Sequence, residues 1–145
     1  MIKRVAIPLL FLAVLLWGVG QKSPQERVTA HFLADREQLE GIALRVLSGE
    51  DPSQLKLPGD WNSLALYDHG PETVEFSFGG SGLGSATAYW GVNYVPSGVC
   101  VGFQGNCWDY WKEQGKGRLY YEPEGDNTCY VERLDTCWYY YEVRF

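Results

Sequence analysis

Hydrophobic residues in the first third of the chain recur with the period of a helix. Projected at 100° per residue, six of them fall in one stripe about 100° wide: Val28, Phe32, Leu39, Ile42, Ala43 and Val46. The segment "SPQE" is typical of a helix start, because Ser23 can cap, Pro24 suits the first helical position and Glu26 can bond back to the cap. Gly49 marks the stop. The pattern predicts one long amphipathic helix, Pro24–Leu47.

From residue 59 onward the hydrophobic positions recur with a period of two, which indicates strands. Turn-forming segments such as "DHGPE", "GGSGLGS" and "PEGDN" separate the apolar runs. The predicted strands are Trp61–Tyr67, Thr73–Phe78, Ala86–Val95, Val99–Phe103, Gly117–Glu122, Thr128–Leu134 and Cys137–Arg144. Because the intervals are too short for crossover helices, we expect an antiparallel meander of about six to seven strands.

Together the two patterns predict an α+β fold, in which the N-terminal helix packs on the antiparallel meander sheet. The 145 residues suit one domain with a short extra segment. Residues 1–20 are predicted to be a signal peptide or membrane anchor, residues 21–58 the helix and a linker, and residues 59–145 the sheet that forms one domain with the helix. One helix cannot cover both faces of such a sheet, so one face is expected to be partly bare.

The first twenty residues, "MIKRVAIPLLFLAVLLWGVG", place Lys3 and Arg4 before an apolar run. This order is typical of a secretory signal. The run falls just short of the ~20 apolar residues that span a hydrocarbon core, so the alternative is an uncleaved anchor over residues 5–20. Both interpretations place the rest of the chain outside the cytoplasm, because the two cations hold the N-terminus inside. The membrane is then contacted only through this segment, if it is uncleaved.

Acidic residues outnumber basic ones, and the formal net charge is −6. Without residues 1–20, ten Lys and Arg remain against eighteen Asp and Glu, for a net charge of about −8. Binding to phosphate backbones requires clustered Lys and Arg. Nucleic acid is therefore not an expected partner.

The four cysteines all lie in the last third of the chain: Cys100, Cys107, Cys129 and Cys137. In an oxidising compartment an even number of cysteines indicates disulfides. Three pairings are possible, and the local ones, 100 with 107 and 129 with 137, are favoured because each closes a short loop. No CxxC motif occurs and the two histidines lie far away in sequence, so neither a metal site nor a cofactor is predicted.

Carboxylates gather near the "PEGDN" turn, between Glu122 and Asp126. A small glycan or cell-wall hydrolase needs two carboxylates facing each other across a groove, although an acidic, solvated hairpin tip explains the group more simply. The "GGSGLGS" segment lacks the Lys-Ser/Thr ending of a phosphate-binding loop. No catalytic residue is assigned, and a non-catalytic role is favoured while enzymatic activity stays open.

Aromatic residues make up 15% of the chain, and the terminal strand "TCWYYYEVRF" is the densest aromatic segment. Alternation places Cys137, Tyr139, Tyr141, Val143 and Phe145 on one face and Trp138, Tyr140, Glu142 and Arg144 on the other. The first set carries the cysteine and the aliphatic residue, so it is predicted to face the core beneath the helix. The second set is predicted to lie on the bare face, together with Tyr120 and Tyr130 from neighbouring strands.

The predicted binding residues are Trp138, Tyr140, Tyr120 and Tyr130, with Glu142 and Arg144 setting the register of the ligand. Flat rings can stack on sugars or receive side chains of a partner, whereas cross-strand packing for stability is the alternative. The resulting hypothesis is a non-catalytic extracytoplasmic protein of the cell envelope that binds an unknown protein or glycan through this face. The hydrolase, and an inhibitor or immunity-like protein, are the alternatives.

The segments "GSGLGSATAYWGVNYVPSG" and "EPEGDNTCYVERLDTCWYYYEVRF" resemble a group of small exported proteins from Firmicutes. In that group a glycine-rich turn leads into a Tyr-rich strand, and a "GDN" turn leads to a terminal "WYYYE" strand. The resemblance covers roughly residues 72–145 and implies export, but no catalytic residue or defined function. The cysteines at positions 129 and 137 depart from the pattern, in which these positions are more often aromatic or polar.

Overall fold

The computed structural model describes residues 20–145, so the predicted signal or anchor lies outside the described residues except for Gly20. Helix α1 spans Pro24–Leu47, as the hydrophobic stripe predicts. The Ser23 side chain accepts a hydrogen bond from the Glu26 amide at 3.2 Å, and the Glu26 carboxylate accepts one from the Ser23 amide at 2.7 Å. This capping box satisfies two of the amides that a helix start leaves unpaired. Within the described part of the chain, no helix combines the length and apolar character needed to cross a membrane.

Seven strands form one sheet, in which every neighbouring pair is antiparallel. The strands are β1 (Ser63–Tyr67), β2 (Thr73–Leu83), β3 (Ala86–Tyr94), β4 (Trp111–Gln114), β5 (Gly117–Tyr121), β6 (Thr128–Asp135) and β7 (Trp138–Arg144). The order β1-β2-β3-β7-β6-β5-β4 joins two meanders, and β3 and β7 meet at the centre. The predicted α+β class, with one helix on an antiparallel sheet, is confirmed.

Two segments differ from the strand prediction. Val99–Phe103 is not a strand, because the chain must cross here from β3 at the centre of the sheet to β4 at its edge and has no neighbour to pair with. Strand β4 was not predicted, since all four of its residues are exposed and carry no alternation of apolar and polar side chains. The glycine-rich segment also belongs largely to β2, and the turn is confined to Gly84 and Ser85.

Helix α1 covers the face of the sheet formed by β2, β3 and β7. The apolar stripe of α1 packs on large side chains of these strands, and the buried members include Phe76, Val92, Trp138 and Tyr140. Asp35 lies within this stripe, where its carboxylate accepts a hydrogen bond from the Trp61 indole at 2.9 Å. A polar position within an apolar stripe is therefore explained by a specific partner.

The opposite face of the sheet is covered by residues 95–110, which we call the covering loop. Val95 and Val101 of this loop are buried against β5, β6 and β7, and Phe103 and Trp108 pack on the same cluster. The sheet residues in this second core are Tyr120, Cys129, Val131, Tyr139, Tyr141 and Val143. The expectation of a bare face is wrong for the centre of the sheet, because a loop with only one short 3-10 turn, Phe103–Gly105, supplies the apolar cover.

All four cysteines are free thiols in the structure, so the predicted disulfides are not formed. The register places Cys129 opposite Val143, whereas Cys137 lies at the turn before β7. At about 3.3 Å per residue these two cysteines are roughly 20 Å apart, far beyond the ~7 Å between Cα atoms that a disulfide tolerates. Cys100 and Cys107 both lie in the covering loop as thiols. The number of cysteines therefore gives no support to an oxidising compartment.

Candidate functional site

The terminal strand β7 divides by alternation as predicted, but the two sets face the opposite way. Trp138 and Tyr140, predicted to lie on a bare surface, are 1% and 0% exposed and pack beneath α1. The Trp138 ring lies 5.1 Å from that of Phe32 and 4.9 Å from that of Tyr94, measured between centroids. Tyr139, Tyr141 and Val143 lie beneath the covering loop, whereas Cys137 packs at the edge of the helix-side core. Both faces of β7 are buried, so cysteine and valine do not distinguish the face that meets the helix.

Tyr120 and Tyr130, predicted to share one face, lie on opposite faces of the sheet. Tyr120 pairs with Cys129 and faces the covering loop, where its hydroxyl donates a hydrogen bond to the Cys100 sulfur at 3.3 Å. Burial raises the pKa of Tyr120 to about 12, with the Cys100 sulfur adding to the effect. Tyr130 pairs instead with Leu119, on the face that carries α1. Tyr120 is therefore a core residue and does not contribute to a common surface with Tyr130.

Three of the predicted binding residues do lie together, beyond the edge of α1. Helix α1 leaves the sheet uncovered over β4, β5 and the far end of β7, and a groove of about 440 Å³ runs across this area. Its lining consists of Gln25, Gln114, Gly115, Leu119, Thr128, Tyr130, Glu142 and Arg144. We call it the helix-side groove.

One wall of the helix-side groove is a hydrogen-bond network between α1 and β6. The Gln25 amide donates to a Glu132 carboxylate oxygen at 2.7 Å, and the Tyr130 hydroxyl donates to the same oxygen at 2.6 Å. Burial and then the Glu132 carboxylate raise the pKa of Tyr130 to about 12. The Tyr130 hydroxyl is therefore a protonated donor at neutral pH. Its hydrogen bond to Glu132, which Gln25 also contacts, holds the ring in place.

A second network forms the β7 wall. The Tyr140 hydroxyl donates to one Glu142 oxygen at 2.9 Å, and the Arg144 guanidinium donates to the other. The Glu142 side chain is only 15% exposed, whereas that of Arg144 is 66% exposed. Burial and then the Glu142 carboxylate raise the pKa of Tyr140 well above its usual range. A guanidinium carries five N–H donors, so Arg144 keeps donors available for a ligand.

A glycine turn positions the Tyr130 ring. A Cβ on Gly117 would lie 2.8 Å from the end of this ring, closer than real contacts allow, so only glycine lets the ring lie flat against the β4–β5 hairpin. Gly115 of the same turn has a φ of +59°, which glycine adopts without strain. The sequence signal for this part of the site is therefore the "QGKG" turn, which the apolar periodicity does not reveal. Gln25 and Glu132 were also missed, because they come from distant parts of the chain.

The acidic residues proposed for a hydrolase lie in the turn between β5 and β6. Glu122, Glu124 and Asp126 are all exposed, and the Glu122 carboxylate accepts a hydrogen bond from the Asn127 amide at 3.1 Å. Among residues 20–145, no three His, Cys, Asp or Glu side chains are grouped closely enough to hold a metal ion. The acidic turn is thus a solvated hairpin tip.

No protein-family model matches this chain, and no curated protein or solved structure is significantly similar to it.

Proposed function

We propose that this protein is a non-catalytic extracytoplasmic component of the cell envelope that binds a glycan in the helix-side groove. The observation that supports this function is the combination, in one groove, of the flat Tyr130 ring with the Glu142–Arg144 ion pair and the Gln25 amide. The extracytoplasmic location rests on the signal or anchor predicted in residues 1–20. It is independent of the cysteines.

The chemistry of the lining favours a glycan over a protein partner. The centre of a protein interface is usually apolar and aromatic, whereas Leu119 is the one large aliphatic side chain among the residues that line this groove. A sugar ring has C–H groups on its faces and hydroxyls at its edge. The C–H face suits an aromatic ring, and the hydroxyls suit paired carboxylate, guanidinium and amide groups.

Replacing Arg144 with alanine tests the proposal. The side chain is largely exposed, so Arg144→Ala should leave the fold intact and weaken glycan binding about tenfold or more, since hydrogen bonds to a charged group are worth ~1.5–3 kcal/mol. The measurement is calorimetric titration with a panel of soluble cell-wall oligosaccharides. The matched control is Arg45→Ala, which removes an exposed arginine from the last turn of α1 and should bind like the wild type.

Two results would contradict the proposal. One is equal losses for the two arginine variants, which would indicate a general charge effect. The other is the absence of binding to any oligosaccharide at millimolar concentration, together with capture of an envelope protein by the wild type but not by Arg144→Ala, which would assign the groove to a protein partner. The hydrolase hypothesis gains no support from the exposed acidic turn, and we do not carry it forward.

A further inference from the structure

A buried carboxyl group lies beneath the covering loop, on the opposite face of the sheet from the helix-side groove. Glu75 of β2 is 5% exposed, and its register neighbours are Ala65 on β1 and Asn93 on β3. One carboxylate oxygen accepts a hydrogen bond from the Gln104 backbone amide at 2.6 Å. A charged group is costly to bury unless it is paired, so this contact between sheet and loop calls for an explanation.

The loop residue that meets Glu75 is in an unusual backbone conformation. Gln104 has φ 57° and ψ 30°, the left-handed region, and it is the one residue other than glycine with positive φ among those described. Such a conformation is strained for a residue that carries a Cβ. The Gln104 side chain is exposed, whereas its backbone amide donates to Glu75. The bond to Glu75 therefore holds a strained segment of the loop.

Elsewhere the covering loop is held on the sheet by apolar packing and by hydrogen bonds. The Asn93 amide donates to the Gly102 carbonyl at 2.8 Å, and the Tyr139 hydroxyl donates to the Gly98 carbonyl. A Cβ on Gly102 would lie 2.8 Å from the Cys129 sulfur, so the loop backbone rests directly on the sheet. The bond to Glu75 is thus one of several contacts that hold the loop, and it is the one in which the sheet supplies a carboxylate.

We propose that Glu75 is a proton-operated latch, which holds the covering loop on the sheet while its carboxyl group is protonated and releases the loop when the group ionises.

The groups around Glu75 offer no compensating charge. Tyr67 of β1, Tyr141 of β7 and Cys129 of β6 are the titratable neighbours, and burial raises the pKa of each. All three are uncharged near neutral pH. The Tyr141 hydroxyl lies close to Glu75 but makes no well-formed hydrogen bond with the described residues. Asn93 and Gln104 contribute only neutral dipoles.

Burial is accordingly the dominant influence on the proton of Glu75. It raises the pKa of the carboxyl group from 4.5 to about 7, and the hydrogen bond from the Gln104 amide offsets only part of the shift. A raised pKa means that the closed loop binds the proton more tightly than the open loop, in which water reaches the group. Closure is therefore fully favoured below the ordinary pKa and is progressively lost as pH rises toward 7. Above that, little further change is expected.

Hydrogen–deuterium exchange of the loop amides tests the latch. After correction for the intrinsic pH dependence of exchange, protection of residues 99–107 should fall about twentyfold between about pH 5.5 and about pH 7.5. The amides of α1 should keep their protection, because the helix packs on the other face. In Glu75→Gln the side chain keeps its size and an acceptor for the Gln104 amide but cannot ionise. Protection of the loop should then be independent of pH.

Two further variants keep the result interpretable. Glu72→Gln removes an exposed carboxylate just before β2 and should retain the wild-type pH dependence. Gln104→Gly relieves the left-handed conformation while keeping the amide donor, so protection should rise a few-fold at both pH values with the pH dependence retained. If Glu75→Gln does not fold, the pH dependence of loop protection in the wild type, Glu72→Gln and Gln104→Gly still tests the latch. Wild-type protection that does not change with pH, or a pH dependence that survives in Glu75→Gln, would overturn the latch.

Discussion

Large buried side chains hold the layers of this molecule together, and Trp138 is the largest of those that are fully buried. Its ring fills the space between α1 and the sheet, in contact with Phe32, Phe76 and Tyr94. Gly91 has a comparable role on the other face. A Cβ there would lie 2.2 Å from the Phe76 carbonyl oxygen and 2.8 Å from the Tyr141 hydroxyl, so the Tyr141 ring can lie over β3 only because this residue is glycine.

Truncating Trp138 should strongly destabilise the fold. Trp138→Ala removes a fully buried ring and leaves a cavity, which costs ~3–5 kcal/mol, and the midpoint of chemical denaturation should fall accordingly. Trp111→Ala is the matched control, because the Trp111 ring is 43% exposed on edge strand β4. Its contact with the Arg118 guanidinium, 4.1 Å from the ring centre, is worth less than about 1 kcal/mol at such a site. Equal stability of Trp138→Ala and the wild type would place this ring on the surface after all.

At the scale of elements, α1 both completes the first core and supplies part of the groove. Its apolar stripe covers β2, β3 and β7, while Gln25 in its first turn reaches Glu132 on β6. The capping box at Ser23 holds this first turn in helical geometry. Fraying of the turn would therefore loosen one wall of the helix-side groove as well as the end of the helix.

Removing the cap should measure this coupling. Ser23→Ala loses the side-chain acceptor for the Glu26 amide and should lower the free energy of unfolding by about 1 kcal/mol, as followed by thermal denaturation. Ser23→Asp keeps a strong N-cap residue and should be as stable as the wild type. A Ser23→Ala protein with unchanged stability would show that the tertiary contacts alone hold the first turn.

At the scale of the whole molecule, the sheet is buried on both faces by two different kinds of cover. The helix covers β2, β3 and β7 on one side, and the covering loop packs on β5, β6 and β7 on the other. The region that neither element covers, beyond the edge of α1, is where Tyr130, Glu142 and Arg144 meet. The location of the groove is thus a consequence of how far each cover extends.

The free thiols can be counted directly. Intact mass after alkylation in denaturant without reductant should show all four cysteines modified. Without denaturant, exposed Cys107 should react first, whereas Cys129 should resist because it is 0% exposed and burial raises its pKa to about 12. Cys107→Ser should lose the fast reaction. Fewer than four modified residues in denaturant would show a disulfide, contrary to the structure.

Sequence patterns predict the structure of this protein where the signal is local. A capping motif and a 3.6-residue stripe are enough to define α1, and period-two runs between turn formers locate six of the seven strands, because these patterns reflect hydrogen bonding and burial within a few residues. Strand β4 was not predicted for the same reason. It is an edge strand with no buried side, so its residues do not alternate between apolar and polar.

By itself, then, the sequence determined the α+β class, the helix and the division of β7 into two sets of side chains. Only the tertiary structure decided which set meets α1, because alternation separates two faces without labelling them and both faces of β7 are apolar. Only the tertiary structure could bring Gln25, Tyr130 and Arg144 into one groove, or set the Gln104 amide against Glu75. These contacts depend on strand order and on the path of residues 95–110. Pairing between segments far apart in sequence produces no periodic pattern of residues, so it cannot be read from the sequence.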